Sequence, residues 1–157
     1  MDFSLTAKHV KRVSKLCRYT IVSIHWGGER EASPKAYQRK LARLIIDQGA
    51  DAVIGHHPHV LQNIEVYKGR PIFYSIGNFA FGSRPAGETQ SGMVVRFLLS
   101  KTTRKIKYEL LALNVNNKLI NYFPTFLTEE EVDPLAELLP SEQNCEKRGL
   151  VWSCSFH

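Results

Sequence analysis

Cysteine is scarce in this sequence and long apolar runs are missing from it. Only Cys17, Cys145 and Cys154 occur among 157 residues, none in a C-x-x-C pair. An odd, sparse count argues against a disulfide framework and suits a reducing compartment, although a Cys145–Cys154 bridge stays open. No stretch approaches the roughly 20 apolar residues of a membrane span. The opening MDFSLTAKHVKRVSK has no apolar h-region of a signal peptide and reads as a helix instead, so the chain as written carries no export or anchoring signal. A basic–aromatic stripe is also absent. The net charge of +6 is spread over Lys8–Arg18, Lys35–Arg43 and Lys101–Lys107, which reads as a solvated surface rather than a nucleic-acid footprint, and would also suit an anionic substrate. No internal repeat or low-complexity segment is evident.

What is present is one domain's worth of chain, with hydrophobic content of 43% and charged content of 23%, enough to bury a real core. Leu5, Val10, Val13 and Leu16 fall near helical spacing within residues 4–17. Tyr19–Ile24 is a short β-branched run, apolar on both faces like a buried parallel strand. Ser33-Pro34 predicts the start of a second helix, with Ser33 as N-cap, running to about Gln48 and closed by Gly49. Ala52–Ile54 is the next strand. The alternation implies a parallel sheet with a right-handed crossover. The period then changes: Ile64–Tyr67 and Pro71–Ser75 flank a Lys68-Gly69-Arg70 hairpin turn, and Arg84–Gly92 is a polar loop. Met93–Leu99 and Ile106–Val115 read as antiparallel strands, followed by Lys118–Phe126. Thr128 caps a last helix reaching about Leu139, and residues 140–157 read as a poorly ordered tail.

The chemistry-bearing residues gather where the two parallel strands end. His56, His57 and His59, three of the six histidines, fall within four positions just after Gly55. The carboxyl edge of a sheet is where α/β proteins place their ligands. His57-Pro58-His59 can turn both imidazoles to one side. Exposed loop histidines, or a helix start at Pro58, are the plainer readings, but three imidazoles at one strand end favour a metal or phosphate site. His25 ends the earlier strand in the same way, before Trp26-Gly27-Gly28. Neighbouring strands lie about 4.8 Å apart, so His25 can share that site. Glu29 is a general base, a ligand, a carboxylate orienting a histidine, or a solvated loop residue. Gly77-Asn78 ends a later strand, where the Asn78 amide is either a ligand or part of a turn.

Three stretches in order, IVSIHWGGE (21–29), the helix carrying Gln38, and GADAVIGHHPHVLQNIEVYKGRPIFYSIGNFAF (49–81), resemble the bacterial capsule-synthesis (CapA, poly-γ-glutamate synthesis) family. The resemblance covers roughly residues 10–82. It implies a fold like that of calcineurin-type metallophosphoesterases: an α/β, four-layered α/β/β/α sandwich present in part, with parallel strands first and antiparallel strands and hairpins after. It places His25 and the GHHPH histidines at the family's metal positions. The H-x-H spacing selects His57 and His59 as ligands, whereas the Gly-His start selects His56, and that choice stays open. A divalent ion (Mn, Zn, Ni or Mg) is the implied cofactor, with Glu29 or His56 handling protons.

The departures from that pattern matter as much. No Gly-Asp pair, whose carboxylate would bridge two metals about 3.5–4 Å apart, and no Asn-His pair occur anywhere. Residues 1–139 therefore read as the C-terminal part of such a domain, lacking its N-terminal ligands, with residues 140–157 as the tail. The implied function is that of a CapA-like protein of capsule or poly-γ-glutamate synthesis related to metal-dependent hydrolases. Whether the chain is an active enzyme alone is left open by the absent carboxylate, and a non-catalytic assembly or polymer-binding component is the alternative. Expected partners are an anionic polymer or a phosphoester or amide substrate, together with a missing N-terminal half or a second copy, and not nucleic acid. The resemblance suggests cell-envelope association, while the chain as written reads as cytoplasmic.

Overall fold

A computed structural model describes residues 3–80, 91–128, 131, 134–140 and 144–155. Helix α1 (Ser4–Leu16) leads into strand β1 (Ile21–His25), helix α2 (Ala36–Asp47) and strand β2 (Ala52–His56). The parallel pairing expected from the alternation is present, with Ile21 opposite Ala52 and His25 opposite His56. Strands β3 (Ile64–Tyr67) and β4 (Arg70–Phe73) form the expected hairpin, and the first sheet runs β1-β2-β4-β3. Lys68 and Gly69 both carry positive φ, 50° and 72°, as a two-residue turn matched to strand twist requires. Helix α2 begins at Ala36 rather than at Pro34, and Ser33 is not its cap. Its first turn is closed by the Gln38 side chain, whose Oε1 accepts from Lys35 N at 2.9 Å.

The two faces of this sheet bury different residues because side chains alternate along each strand. Val53, Ile72 and Tyr74 pack with Leu41, Ala42 and Ile45 of α2 and with Val10 of α1. Phe73 and Ile64 point the other way, onto a second sheet. That sheet is built from β5 (Ser91–Leu99), β6 (Ile106–Asn114), β8 (Asn144–Arg148) and β9 (Val151–Ser155) in the order β5-β6-β9-β8, with β7 (Thr125–Phe126) also pairing β6. Met93, Tyr108, Leu110 and Cys154 meet Phe73 between the sheets, and the Phe73 ring stands edge-on to Tyr108. One helical layer and two sheets thus give the mixed α/β sandwich in partial form. Among the described residues no helix is long and apolar enough to cross a membrane.

Three expectations are corrected in the C-terminal half. Residues 144–155 are not an irregular tail but a hairpin that adds β9 to β6, joined by a Cys145–Cys154 disulfide. Residues 118–126 do not form one strand: Asn117–Ile120 is a helical turn, α3, and only Thr125–Phe126 pairs. Thr128 N donates to the Glu131 carboxylate at 2.7 Å, half of a capping box, but residues 134–138 are turns rather than a continuing helix. Residues 129, 130, 132 and 133 of that expected helix, and residues 84–90 of the expected polar loop, lie outside the described residues.

One part of the apolar surface stays uncovered. β1 is an outer strand of its sheet among the described residues. Ile21 on it is 37% exposed, and Leu5, Val13 and Leu16 of α1 are 63%, 39% and 79% exposed. Of the α1 stripe read in the sequence, only Val10 is buried.

Candidate metal centre

The histidines converge because two backbone segments are tied together at the ends of β1 and β2. Trp26 N donates to His56 O at 3.1 Å and Arg30 N donates to Pro58 O at 2.8 Å, so the segment after β1 is hydrogen-bonded along the segment after β2. Both are supported from beneath. Trp26 Nε1 donates to Tyr74 O at 2.9 Å, a crossing possible only because Gly55 has no side chain between them. Gly27 N donates to the Tyr37 hydroxyl of α2 at 2.7 Å. Gln62, fully buried, donates from Nε2 to Glu31 O at 2.7 Å.

On this support the strand register sets His25 and His56 side by side. His25 Nε2 lies 2.9 Å from His57 Nδ1, and their ring centroids are 4.6 Å apart. His57 and His59 have positive φ, 99° and 59°, a conformation that costs a residue with a Cβ on the order of 1 kcal/mol and tends to occur at functional sites. His59 Nδ1 lies 2.8 Å from Asn78 Oδ1. If Oδ1 accepts, Nδ1 carries the proton and the lone pair sits on Nε2, the tautomer that an orienting hydrogen bond selects in ligating histidines. His56 Nε2 meets Ser23 Oγ at 3.1 Å. Its pKa is lowered, first by burial and then by the neighbouring His25, which favours the neutral imidazole.

Whether these residues suit a divalent ion can be tested on the geometry. With bonds of about 2.0–2.1 Å, a tetrahedral ion holds two nitrogens about 3.3 Å apart. The His25–His57 pair, at 2.9 Å, needs only a small ring rotation to reach that spacing. His59 is a neighbour of this pair, with its ring centroid 6.1 Å from that of His57. As they stand, no three His, Cys, Asp or Glu side chains among the described residues converge on one point. An ion would take two donors from this pair after that rotation, with the shared proton lost, and a third if His59 swings in.

Of the residues singled out in the sequence, His25, His56, His57 and His59 are brought together. Glu29 is exposed and makes no hydrogen bond or ion pair among the described residues. Asn78 reaches the centre through His59. Ser23, Tyr37 and Gln62 escaped the sequence reading. Ser23 was detectable in principle, since it lies two residues before His25 on the same strand face.

Comparison with known proteins gives this geometry a context. The family model for the bacterial capsule synthesis protein PGA_cap matches residues 2–83. The chain is 44% identical over 92 residues to the PGA biosynthesis protein CapA of Bacillus subtilis (strain 168), covering 59% of this chain and 24% of that protein. It is 52% identical over 61 residues to the capsule biosynthesis protein CapA of Bacillus anthracis, covering 39% of this chain and 15% of the relative. A probable polyglutamine synthesis accessory protein of Mycobacterium tuberculosis is 40% identical over 58 residues, covering 37% of this chain and 15% of that protein. The chain thus spans about a quarter or less of the length of these relatives.

Proposed function

The chain belongs to the bacterial capsule synthesis protein PGA_cap family, and on that premise we propose that it supplies one wall of a hydrolase-type divalent-metal centre to capsule or poly-γ-glutamate synthesis. The reading rests on the parallel register that sets His25 beside His56 and closes His25 Nε2 to 2.9 Å from His57 Nδ1. His25 and His57 would hold the ion, and His59 would join them, oriented by Asn78. A bound Mn, Zn, Ni or Mg ion would supply a Lewis acid and a more acidic water for attack on a phosphoester or amide. His56, neutral and anchored on Ser23, is placed to accept a proton, and exposed Glu29 is free to do so.

Calorimetric titration of the purified chain with Zn²⁺ and Mn²⁺ tests this. The expected result is one bound ion, weakened about 100-fold by His57→Ala or His25→Ala and about tenfold by Asn78→Ala, which acts through His59. No bound metal, or titrations unchanged in His57→Ala and His59→Ala, would overturn it.

A second reading, a non-catalytic assembly or polymer-binding component, is favoured by a specific observation. No carboxylate joins the imidazoles among the described residues, while the outer strand β1 and the apolar residues of α1 stay exposed. An outer strand of this kind invites pairing with another chain or segment, either a complementary part of the family domain or a second copy. Turnover of a generic phosphodiester by the isolated chain with metal would exclude the purely non-catalytic version.

A further inference from the structure

The opposite end of the first sheet carries a second feature that the histidines do not use. The C-terminus of α2, the start of β2, the β3–β4 turn and the β5–β6 loop enclose an open cleft of about 450 Å³. Its charged lining is Asp47, Asp51, Lys68, Arg70 and Arg104. Asp51, only 1% exposed, accepts from Thr20 N at 2.9 Å. It also pairs with Arg70 at 3.1 Å and with Arg104 at 3.4 Å. Two guanidinium groups thus share one buried carboxylate, which leaves an excess positive charge at the cleft. Lys68 and Asp47 balance each other across 2.5 Å.

The cationic field extends past the cleft. Lys101 and Lys105 share the β5–β6 loop with Arg104 and are exposed, as is Arg18 beside Tyr19. The loop is fixed rather than free. The Tyr19 hydroxyl lies 2.6 Å from Thr103 O and 2.8 Å from Ser100 O, with its proton given to one carbonyl at a time. Arg70 and Arg104 meet at Asp51, whereas Lys68, Lys101, Lys105 and Arg18 lie along the turn and the loop around them, an array that suits an extended chain of anions better than a single small one. Guanidinium forks match carboxylates in geometry. Single-stranded nucleic acid is characteristically held by rings on which its bases stack. The cleft lining has none, and the nearby Tyr67 ring is already covered by Arg43 and Lys68.

We propose that this cleft is a docking site for an anionic, carboxylate-bearing chain, separate from the histidine centre. It deepens the capsule-synthesis reading and rests on it for the biological setting, but it does not require metal. Fluorescence anisotropy of a labelled glutamate oligomer tests it at low salt. Arg104 is 55% and Lys68 64% exposed on the side chain, and Arg104→Ala leaves Asp51 its bonds to Arg70 and Thr20, so both substitutions should keep the fold. We expect the oligomer to bind the wild-type chain, and Arg104→Ala/Lys68→Ala to weaken binding about tenfold, from two partly exposed charges lost together. Raising salt toward about 0.2 M should weaken wild-type binding more than that of the double variant. His57→Ala should leave oligomer binding unchanged while weakening metal binding, so failure of the metal centre and failure of the cleft are told apart. No oligomer binding, equal binding by the double variant, or tighter binding of single-stranded DNA through the same residues overturns the proposal.

Discussion

Gly55→Ala is expected to lower the stability of this chain by about 3 kcal/mol, from overpacking together with the loss of a buried hydrogen bond. A Cβ at residue 55 would stand 2.5 Å from Trp26 Nε1 and still closer to the carbonyl oxygen of Tyr74. Those are the two partners of the hydrogen bond that crosses this glycine. The second clash is with backbone, so repacking of side chains does not relieve it. Gly55 O also accepts from Ile76 N at 3.2 Å, which ties the same residue to the segment leading to Asn78. Urea unfolding should show the loss directly, and thermal unfolding should show a midpoint lower by about 6–12 °C for a chain of this size. Metal affinity should fall with it, because Gly55 immediately precedes His56 and its carbonyl fixes the approach to the imidazoles. A Gly55→Ala chain within 1 kcal/mol of wild type by urea unfolding would mean that the Trp26–Tyr74 crossing is not what holds the two loops together.

The first half of the fold was legible in the sequence because its signals are local. The spacing of apolar residues in Ser4–Leu16, the β-branched run before His25, and Lys68-Gly69 between two short strands each predict one element, and each is present. The grouping of the histidines followed from a single physical step, that successive parallel strands put their carboxyl ends together. What escaped the sequence depends on distant partners. Asn78 is singled out in the sequence, but its contact with His59, 19 residues away, is not, and neither is the support that Gln62 gives Glu31 across 31 residues. No periodicity announces such contacts. Ser33-Pro34 carries the ordinary signature of a helix start, yet α2 begins at Ala36 because Gln38 closes the turn from inside the helix. Asn144–Arg148 shows why the C-terminal hairpin resembles a tail in the sequence. Every residue in it except Cys145 is exposed, so it lacks an apolar face, and its strand character comes from pairing with β9, which in turn pairs with β6.

That hairpin is therefore where a covalent tie should matter most. Cys145 stands directly opposite Cys154 in the β8–β9 register, and their sulfurs are bonded. Cys154 is fully buried against Tyr108, Leu110 and Leu135 between the sheets. It is also opposite Tyr108 in the β6–β9 pairing, so one residue carries both the bridge and the contact of the hairpin with the core. β8 has little apolar area of its own to hold it in place. Closing a loop of sequence separation 9 removes enough unfolded-chain entropy for about 2–3 kcal/mol of stabilisation. Cys145→Ala/Cys154→Ala is accordingly expected to lower the thermal midpoint by about 5–10 °C, with alanine chosen at residue 154 so that no hydroxyl is buried there. Reductant added to the wild-type chain should produce a similar shift, and should leave the double variant where it was. Hydrogen exchange should localise the loosening to β8 and β9, with β1 and β2 largely unaffected, because β1 packs only on the other core and β2 meets this one through Ile54 alone. A wild-type midpoint insensitive to reductant would sink the bridge as a stabilising element. A loss of protection spreading into β1 and β2 would instead show that the hairpin supports the histidine centre through Phe73, Ile64 and Ile54, the residues of the first sheet that meet its core.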